Sequence, residues 1–363
     1  MVLEGIFPQD ERVEKEIASL LSDGHEVRIA TYAFEKTQYL EKYQGYTIYR
    51  KTISRLMYKM SAAVLVLPFY FIFWRSYLHK IYKEWPFDAI HIHDLPLARL
   101  GKELKKREGL VFVADQHEFY SDWIGKTAHY NSIPGRLIKF LSNWKRYEFR
   151  NLMEADLVCT VEKPIKELYI KLHGIDKDKI IVIPNTPLKS IYSVEAKERS
   201  DQNFILFYCG GLDVLRGLKT SIQALVELKE KIPEIKLSLV GKSNKHFDAV
   251  AFASSLDVSE YIDFRGWVNY SDLPNEIDKS DICFFIPPSN RDEINNTIAT
   301  KIYQYMARGK PIIVGRARYM KAFVEKNRIG ITINEDSPRE FAEAVLKMYN
   351  SPGELKKFRE NAK

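Results

Sequence analysis

Short apolar runs alternate with amphipathic stretches along the whole chain, and this alternation constrains the fold more than any other feature. A short apolar run bounded by turn residues is typical of a buried strand, whereas apolar residues three or four positions apart are typical of a helix. Strands that alternate with helices build parallel sheets from βαβ units. The sequence therefore predicts an α/β fold with doubly wound sheets.

The predicted strands form two series on either side of a polar stretch, 185–203, with Pro187 near its start. The first series is MVLE at the N-terminus, 26–31, 46–49, 88–93, 110–114, 156–160 and 180–184. The second series is 204–209, 236–240, 261–264, 281–286, 311–314 and 330–333. A chain of 363 residues is more than one core usually supports. Two Rossmann-like domains are predicted, residues 1–190 and 191–363, facing each other across a cleft that holds the active site.

Composition and local patterns exclude several classes of protein. Hydrophobic residues make up 45% and charged residues 28%, which excludes a disordered or collagen-like chain. The longest apolar stretch, 60–74, is shorter than the roughly 20 residues that span a bilayer. The first residues lack the pattern of a signal peptide. Three cysteines lie far apart in strand-like runs and are expected to be reduced core thiols of a cytoplasmic protein, not a disulfide or a zinc site: Cys159, Cys209 and Cys283.

The net charge of +7 is concentrated in one segment. Residues 42–83 contain eight Lys or Arg and no Asp or Glu, and these flank the apolar run VLVLPFYFIFW. This composition is typical of a helix that docks on an anionic membrane, and equally of a buried helix with a solvated basic face. A nucleic-acid partner is not favoured, because no RRM, KH or helix-turn-helix pattern is present.

The segment FYCGGLDVLRG predicts an anion site where a strand gives way to a helix. Gly210 and Gly211 end the strand, and Arg216 with Gly217 opens the helix. Glycines let the backbone approach an anion, the helix N-terminus offers free N–H groups, and an arginine pairs with a diphosphate oxygen. Glycine pairs are also ordinary turn residues, and this one is neither a Walker loop nor a dinucleotide fingerprint.

A second polar segment follows the strand DICFFI. Residues 289–296 are unusually polar, and a helix starting between Thr297 and Thr300 comes next. On that helix Lys301 and Gln304 are three positions apart and share a face. They offer a positive charge and an amide to a ligand, although a solvated helix face has the same composition.

Taken in order, the segments resemble a retaining glycosyltransferase of the GT-B fold, family 4, in the branch that assembles bacterial and archaeal surface polysaccharides. The segments that carry this resemblance are FPQDERVEKEIASLLSDGHEV, FDAIHIHDLPLA, ADQHEFY, IIVIPNTP, YCGGLDVLRGL, LSLVGK, IDFRGWVNYSDLPNEIDKSDICFFIPPS and KIYQYMARGKPII. They cover nearly the whole chain. The resemblance implies a nucleotide-sugar donor, a lipid-linked or glycan acceptor, no metal cofactor, and a cytoplasmic enzyme on the inner face of the membrane.

The resemblance also implies roles for donor-binding residues. Arg216 and Lys301 match the pair that neutralises the leaving diphosphate. Gln304 stands where the family usually has a Glu that bonds the ribose, and Asn296 where many members have a second Glu. Gly211 replaces the arginine of a frequent glycine–arginine pair. These departures bear on donor identity, rate and activity.

Further roles follow from the same resemblance. His117 matches a residue beside the transferred sugar, where a neutral imidazole can contact the sugar or orient the acceptor, and Glu118 is expected to orient His117 or contact the acceptor. Gly5 matches a glycine that lets the backbone approach the acceptor or the donor phosphate. Gly266 and Trp267 match the loop that receives the nucleobase, with packing as the alternative for Trp267.

The run HIHDLP is expected to be structural. His91 and His93 are read as lying on opposite faces of one strand, so that they cannot share a ligand, and one of them is expected in the core. Asp94 is expected to cap the following helix. No metal site is predicted.

The predicted function is therefore sugar transfer from a nucleotide diphosphate sugar with retention of configuration. One alternative is a non-catalytic nucleotide-sugar-binding or partner protein of the same fold. Another is a nucleotide-sugar 2-epimerase, which would need more acid/base carboxylates and histidines and has no use for a basic apolar segment.

Overall fold

The computed structural model divides into two compact units, Met1–Pro184 and Asn185–Lys363, called here the N-terminal and C-terminal units. The sequence predicts the boundary near residue 190, a few positions later, in a stretch whose residues 194–201 lie outside the described part. The structure describes residues 1–8, 10–124, 143–193, 202–213, 216–243, 247–290 and 292–363.

The strands of the N-terminal unit form two hydrogen-bonded groups. They are β1 (Arg28–Ala33), β2 (Leu40–Tyr43), β3 (Tyr46–Thr52), β4 (Ala89–His93), β5 (Val111–Gln116), β6 (Leu157–Thr160) and β7 (Ile180–Val182). Their orders are β1-β3-β2 and β4-β5-β6-β7. Val2 pairs in parallel with both Ala30 and Ile92 and so joins the two groups. The predicted N-terminal strand is thus reduced to a bridge at Val2, between β1 and β4.

The sequence pattern does not predict β2. This strand pairs antiparallel with β3 across a turn at Gln44 and Gly45, whose φ angles are 45° and 89°. Such a two-residue turn requires positive φ and therefore favours glycine. As an edge strand with charged side chains, β2 has no apolar run that marks it as buried.

The longer helices of the N-terminal unit bury one face each. The helices of this unit are α1 (Glu11–Ser22), α2 (Arg55–Lys59), α3 (Phe69–Glu84), α4 (Ala98–Glu108), α5 (Tyr120–Trp123), α6 (Trp144–Leu152) and α7 (Lys163–His173). The short helix α2 has no buried residue. The side chain of Asp10 caps α1 by accepting from the amides of Arg12 and Val13, which satisfies N–H groups that a helix start leaves free. A helix is predicted over 136–153, but 136–142 lie outside the described residues.

The basic apolar segment 42–83 has both buried and exposed apolar side chains. Along α3 one face is core, with Tyr70, Trp74 and Tyr77 buried, while Phe69 and Ile72 are about half exposed on the other. Some of its basic side chains are paired outside the segment; the pairs are Arg50 with Glu41 and Arg75 with Glu103. Among the described residues, no helix is long and apolar enough to cross a membrane.

The C-terminal unit is built on one parallel sheet of six strands in the order β10-β9-β8-β11-β12-β13. They are β8 (Phe204–Cys209), β9 (Ile235–Val240), β10 (Ile262–Gly266), β11 (Ile282–Phe285), β12 (Ile312–Val314) and β13 (Gly330–Thr332). The helices are α8 (Lys189–Tyr192), α9 (Leu218–Lys231), α10 (Ala249–Ser255), α11 (Leu273–Asp278), α12 (Asp292–Asn295), α13 (Thr300–Ala307), α14 (Arg318–Asn327), α15 (Pro338–Tyr349) and α16 (Pro352–Ala362).

The strand order of this sheet reverses between β8 and β11. The chain runs outward from β8 through β9 to β10, returns to β11 beside β8, and continues in the other direction. In such sheets ligands bind outside the carboxyl ends of the two strands that flank the reversal. The loops after β8 and β11 are therefore where the fold places a ligand.

The three cysteines are free and buried, as the sequence predicts. Burial raises the pKa of Cys159 and of Cys283, each to about 12. A thiol with so high a pKa is protonated at neutral pH and is a poor nucleophile or metal ligand. They act as small core residues.

Candidate active site

Two basic side chains of the C-terminal unit meet where the strand order reverses. The Arg216 Cζ lies 5.8 Å from the ring centroid of Phe285, the last residue of β11, and the Lys301 Nζ lies 4.2 Å from the same centroid. Both side chains are half-buried. Neither forms a hydrogen bond or an ion pair with a residue that the structure describes. We call them the cationic pair, and two converging cations of this kind can hold an anion.

The environment weakens the proton affinity of Lys301. Burial lowers the pKa of its ammonium group to about 8, and the nearby charge of Arg216 acts in the same direction. An anion bound between the two cations would reverse both effects, because an opposite charge favours the protonated amine. The charge of Asp213 acts on Lys301 in the opposite direction, so the pair is only partly compensated before an anion binds.

Glycines after β8 leave room for the cationic pair. Gly210 has a φ of 135°, and a Cβ added there would lie 3.4 Å from both Cε and Nζ of Lys301. The carbonyl of Gly211 accepts a hydrogen bond of 2.9 Å from the Tyr208 hydroxyl, which holds the loop against β8. A side chain at Gly210 would strain the backbone and press on the lysine.

The helix that follows Arg216 begins at a position where only glycine fits. Gly217 has a φ of 79° and stands at the start of α9. A Cβ there would lie 2.5 Å from Cγ1 and 2.8 Å from the carbonyl oxygen of Ile286. This contact holds the N-terminus of α9, with its free N–H groups, next to the end of β11.

The other two residues predicted on this side lie in different surroundings. Gln304 is 7% exposed, and its Oε1 lies 4.0 Å from Sγ of Cys209 at the end of β8. Lys301 and Gln304 thus face the same strand end, as their spacing predicts. By contrast, Oδ1 of Asn296 accepts a hydrogen bond of 2.7 Å from Arg318. The structure places Asn296 beside α14.

Gly266 and Trp267 end β10, the edge strand of the sheet. Gly266 has a φ of 68° with open space where a Cβ would stand, and its carbonyl accepts from the amide of Gly241. The Trp267 indole is 70% exposed, and Nζ of Lys242 lies 5.2 Å from its ring centroid. The alternative that Trp267 is a packing residue is therefore wrong, and its role toward a nucleobase stays a prediction.

A second group of polar residues lies in the N-terminal unit, where α1 meets the ends of β4 and β5. We call it the histidine cluster; its members are Arg12, Glu16, His91, His93, Asp115 and His117. At its centre is the fully buried Asp115. Arg12 donates to both of its oxygens, from Nη2 to Oδ1 at 2.8 Å and from Nε to Oδ2 at 3.3 Å. Charge-assisted pairs of this kind are among the strongest hydrogen bonds in proteins.

His117 follows β5, at the carboxyl edge of the sheet as the sequence predicts. Its Nε2 lies 3.3 Å from Oδ2 of Asp115, and its Nδ1 lies 3.6 Å from Oδ1 of Asp94. Burial disfavours the charged ring, but the two carboxylates outweigh burial and raise the pKa of His117 to about 9. This pKa favours the imidazolium at neutral pH, whereas the family resemblance implies a neutral imidazole.

His91 and His93 do not lie on opposite faces of β4. Their rings are stacked with centroids 4.5 Å apart, because residues two apart on a strand point to the same face. Nδ1 of His93 lies 3.1 Å and Nε2 of His91 lies 3.6 Å from Oδ2 of the same Asp115. The prediction that they cannot share a ligand is wrong. His93 is fully buried, so one of the two is a core residue as expected.

The spacing within the histidine cluster also resembles that of a metal site. Glu16, His91, His93 and Asp115 each offer a ligand atom, and these atoms lie within 4.8 Å of one another. Nε of Arg12 lies 3.1 Å from Glu16 as well as contacting Asp115, so one guanidinium serves two carboxyl groups. Burial, followed by the charge of Asp115, raises the pKa of Glu16 to about 8. Both carboxyl oxygens of Glu16 and Nε2 of His91 and of His93 are buried without a hydrogen-bond partner among the described residues, and metal independence stays a prediction.

Asp94 and Gly5 occupy the loops that open this edge of the sheet. Asp94 has a φ of 63° and makes no capping hydrogen bond with its side chain, so the predicted cap is wrong. Its carboxylate instead faces His117, and backbone strain of this kind concentrates at functional sites. The carbonyl of Gly5 accepts from the hydroxyl of Thr31. Glu118 is exposed, and the carboxylates that flank His117 are those of Asp94 and Asp115.

Each unit matches a known protein family. Residues 12–186 match the family described as Glycosyltransferase Family 4, and residues 192–363 match the family described as Glycosyl transferases group 1. The chain belongs to family 4 of the glycosyltransferases. The family resemblance inferred from the sequence segments and their order is confirmed.

This glycosyltransferase is similar to known proteins over most of its length. It is 24% identical over 294 residues to the protein named glycosyltransferase EpsD of Bacillus subtilis (strain 168), covering 76% of this chain and 71% of that one. WaaG, a glycosyltransferase involved in lipopolysaccharide biosynthesis, matches 99% of this chain and 93% of its own with a TM-score of 0.69 and 15% identity. HepE of Anabaena, solved with UDP, matches 99% and 92% with a TM-score of 0.69 and 16% identity. These likenesses confirm the GT-B fold.

Sequence reasoning missed Arg12, Asp115 and Asp94 of the glycosyltransferase. A signal for Asp115 exists, since an acidic residue ends the apolar run LVFVA just before His117. Two histidines at spacing two on a strand also signal a shared face. For Arg12 no local signal exists, because its partner is 103 positions away.

Proposed function

We propose that this glycosyltransferase moves a sugar from a nucleotide diphosphate sugar to a lipid-linked or glycan acceptor, with retention of configuration, in surface polysaccharide or glycoconjugate synthesis. The observation that carries the proposal is the cationic pair, since Arg216 and Lys301 converge on Phe285 without forming an ion pair with a described residue. The likeness to a structure that holds UDP and to a glycosyltransferase of lipopolysaccharide biosynthesis supports the donor class and the biosynthetic role.

Breaking the glycosidic bond places negative charge on the departing diphosphate and positive charge on the sugar. Preorganised cations aimed at the developing charge stabilise such a transition state more than they stabilise the substrate. Arg216 offers a planar fork for two oxygens, and Lys301 offers a point charge. The N–H groups at the start of α9 add further donors. In this proposal Arg216, Lys301 and the N–H groups of α9 neutralise the leaving group, and no metal is required.

His117 is proposed to contact the transferred sugar. Its Nε2 is held by Asp115, whereas its Nδ1 lies 3.6 Å from Asp94, too far for a hydrogen bond. The Nδ1–H is therefore the group that can turn to a sugar hydroxyl, while Asp115 fixes the ring. In this proposal Asp115 and Arg12 are positioning residues.

A non-catalytic nucleotide-sugar-binding protein is the second candidate, and one observation favours it. Gln304 stands where the family usually has a charged Glu, and it is almost fully buried. A buried amide can bond a ribose hydroxyl, but it offers no charge to organise the donor. The substitution Gln304→Glu separates the candidates, since a gain in transfer rate supports a slow enzyme. Absence of transfer with every donor supports the binding protein.

The donor proposal is tested by thermal shift with a panel of UDP, GDP and their sugars. A ligand that binds the folded state raises the Tm by an amount set by its concentration relative to its Kd. We expect one nucleotide series to stabilise the wild type and the Lys219→Ala control, which removes an exposed cation three positions after Arg216. A flat response to the whole panel would contradict the proposal. Proton NMR of the product tests retention through its anomeric configuration.

We also propose that residues 55–72 dock on anionic membranes. Leu56 is 71% exposed, between the exposed Arg55 and Lys59, and Phe69 and Ile72 are about half exposed. Each basic side chain near an anionic surface contributes on the order of 1 kcal/mol, and salt screens this attraction. Lys51 does not belong to the docking surface, because its Nζ lies 4.3 Å from the ring centroid of Phe73.

Liposome flotation tests this docking. Binding should require anionic lipid, weaken with ionic strength, and fall when Arg55 and Lys59 are both changed to Gln. The control Lys171→Gln with Lys177→Gln removes two exposed charges from another part of the same unit and should bind as the wild type does. Equal recovery with neutral and anionic vesicles would contradict the proposal.

A further inference from the structure

A cavity of about 540 Å³ opens between α3, α4 and α6 of the N-terminal unit. This volume lies within the range of small-ligand sites. Four basic side chains line it, and Glu103 is the acidic residue among the described lining residues. The four are Arg99, Lys102, Arg146 and Arg150. We call this site the basic cavity.

The charge of Glu103 is already used within the protein. Its carboxylate accepts from Nε of Arg99 at 2.8 Å and from Nε of Arg75 at 2.8 Å, so two guanidinium groups share one acid. On α6, Arg146 and Arg150 are four positions apart and therefore lie on one face. Their exposed guanidinium groups form no hydrogen bond or ion pair with a described residue. The basic cavity thus carries an excess of positive charge.

One wall of the basic cavity is apolar and well fixed. It includes Leu65 and the buried Phe71, and Cζ of Arg99 lies 5.1 Å from the Phe71 ring centroid. The hydroxyl of Tyr147 donates to the carbonyl of Pro96 at 2.8 Å and accepts from the amide of Arg99 at 3.2 Å. These bonds tie α6 to the start of α4. The site is therefore built across two helices.

The chain on either side of Leu65 and Phe71 exposes further apolar side chains. Their exposed fractions run from 37% to 53%, and they are Val66, Leu67, Phe69 and Ile72. A ligand with a charged group in the basic cavity would have apolar protein surface beside it. This juxtaposition suits a lipid better than a water-soluble anion.

We propose that the basic cavity binds the phosphate monoester headgroup of an anionic lipid, with the acyl or prenyl chain over the exposed apolar residues. A phosphate monoester carries about −1.5 to −2 charges at pH 7, which matches several converging cations better than the single charge of a diester does. Arginine forks bind such a phosphate through two parallel hydrogen bonds. This inference deepens the proposed membrane docking and rests on it.

The test compares flotation with phosphatidylcholine vesicles that contain either phosphatidic acid or phosphatidylserine at matched surface charge. The variant Arg146→Gln with Arg150→Gln removes the unpaired guanidinium groups while keeping residues that favour helix. The matched control is Lys171→Gln with Lys177→Gln in the same unit. Soluble glycerol 3-phosphate is added as a competitor, and UDP or GDP binding is measured in parallel.

We expect the wild type and the control to bind vesicles with phosphatidic acid more tightly than vesicles with phosphatidylserine. The Arg146/Arg150 variant should lose this preference, because its affinity for the phosphatidic acid vesicles falls by at least about tenfold. Equal recovery with the two lipids, or an unchanged variant, would overturn the proposal. The proposal would also be overturned if glycerol 3-phosphate released the protein from the vesicles and bound it as tightly as the lipid does, because the site would then bind free phosphate. If the variant still binds UDP or GDP, a negative flotation result counts against the lipid proposal alone and leaves the donor proposal intact.

Discussion

The cationic pair and the histidine cluster hold buried charge in opposite ways. In the C-terminal unit Arg216 and Lys301 meet without an ion pair to a described residue, and the charge of Asp213 compensates them only in part. In the N-terminal unit Asp115 is surrounded by groups that donate to it, among them Arg12 and His117. Unsatisfied charge indicates a site that waits for a ligand, whereas satisfied charge indicates a scaffold that holds a neighbouring group in place. The two clusters therefore respond differently to substitution.

The largest difference is expected for stability. Asp115→Asn removes the carboxylate that accepts two hydrogen bonds from the buried guanidinium of Arg12 and leaves Glu16 as its remaining carboxyl contact. Breaking a buried pair costs about 3–5 kcal/mol in the free energy of unfolding, and we expect the Glu16 contact to place this variant toward the lower value. Urea unfolding measures the loss. The exposed Asp178→Asn on the same unit is the control and should change stability little. The double variant Arg12→Met with Asp115→Asn should lose less than the two single variants combined, and strict additivity would show that the pair is not coupled.

The cationic pair should show the reverse pattern, with lost binding and retained stability. Lys301→Met removes a charge-assisted bond to the nucleotide, which corresponds to about 1.5–3 kcal/mol, or roughly 10- to 150-fold in Kd. The free energy of unfolding should stay the same or rise, because no partner in the described part is left unpaired. A Lys301→Met variant that is less stable than the wild type but binds the nucleotide with the same Kd would contradict this prediction.

His117 makes the stability of the N-terminal unit depend on pH. Its pKa is about 9 in the folded protein and near 6.5 in an unfolded chain, so the folded state binds more protons between these values. The contribution is fully present below pH 6.5 and is lost as the pH rises through about 9. Unfolding measured across this window should show falling stability in the wild type and a flatter profile in His117→Gln. An identical slope in both would show that His117 does not carry the charge.

Lys301 should produce a smaller dependence of the opposite sign. Its pKa is lowered to about 8 in the folded protein, so the unfolded chain binds more protons between about pH 8 and the ordinary lysine value near 10.4. Stability from this group therefore rises with pH across that window, and solvent screening reduces the effect because the side chain is half-buried. Lys301→Met should remove the rise. Nucleotide affinity should fall above pH 8 in the wild type but not in Lys301→Arg.

The local pattern predicts the elements of the C-terminal unit well. All six of its strands are predicted, because each contains a short apolar run of a parallel sheet, although the edge strands β10 and β13 are less buried than the inner four. Lys301 and Gln304 face the same strand end, as spacing on a helix requires. The residues of the cationic pair are 85 positions apart, yet both flank the strand-order reversal. The rule that ligands bind at such a reversal therefore identifies both from the predicted strand order.

The N-terminal unit shows where local patterns fail. Its edge strand β2 has no apolar run, and the N-terminal strand shrinks to Val2. The prediction that His91 and His93 lie on opposite faces is wrong, because side chains two apart on a strand share a face. The pairing of Arg12 with Asp115 depends on α1 packing across β5, which only the tertiary structure specifies.

Isothermal titration of UDP and GDP into the wild type, Arg216→Ala and Lys219→Ala measures whether the cationic pair binds the donor diphosphate. We expect at least one nucleotide to bind the wild type and the Lys219 control with equal Kd. Arg216→Ala should weaken that binding by at least about tenfold, the loss of one charge-assisted hydrogen bond. An Arg216→Ala variant that binds the nucleotide as tightly as the wild type would contradict the assignment of the cationic pair to the donor diphosphate.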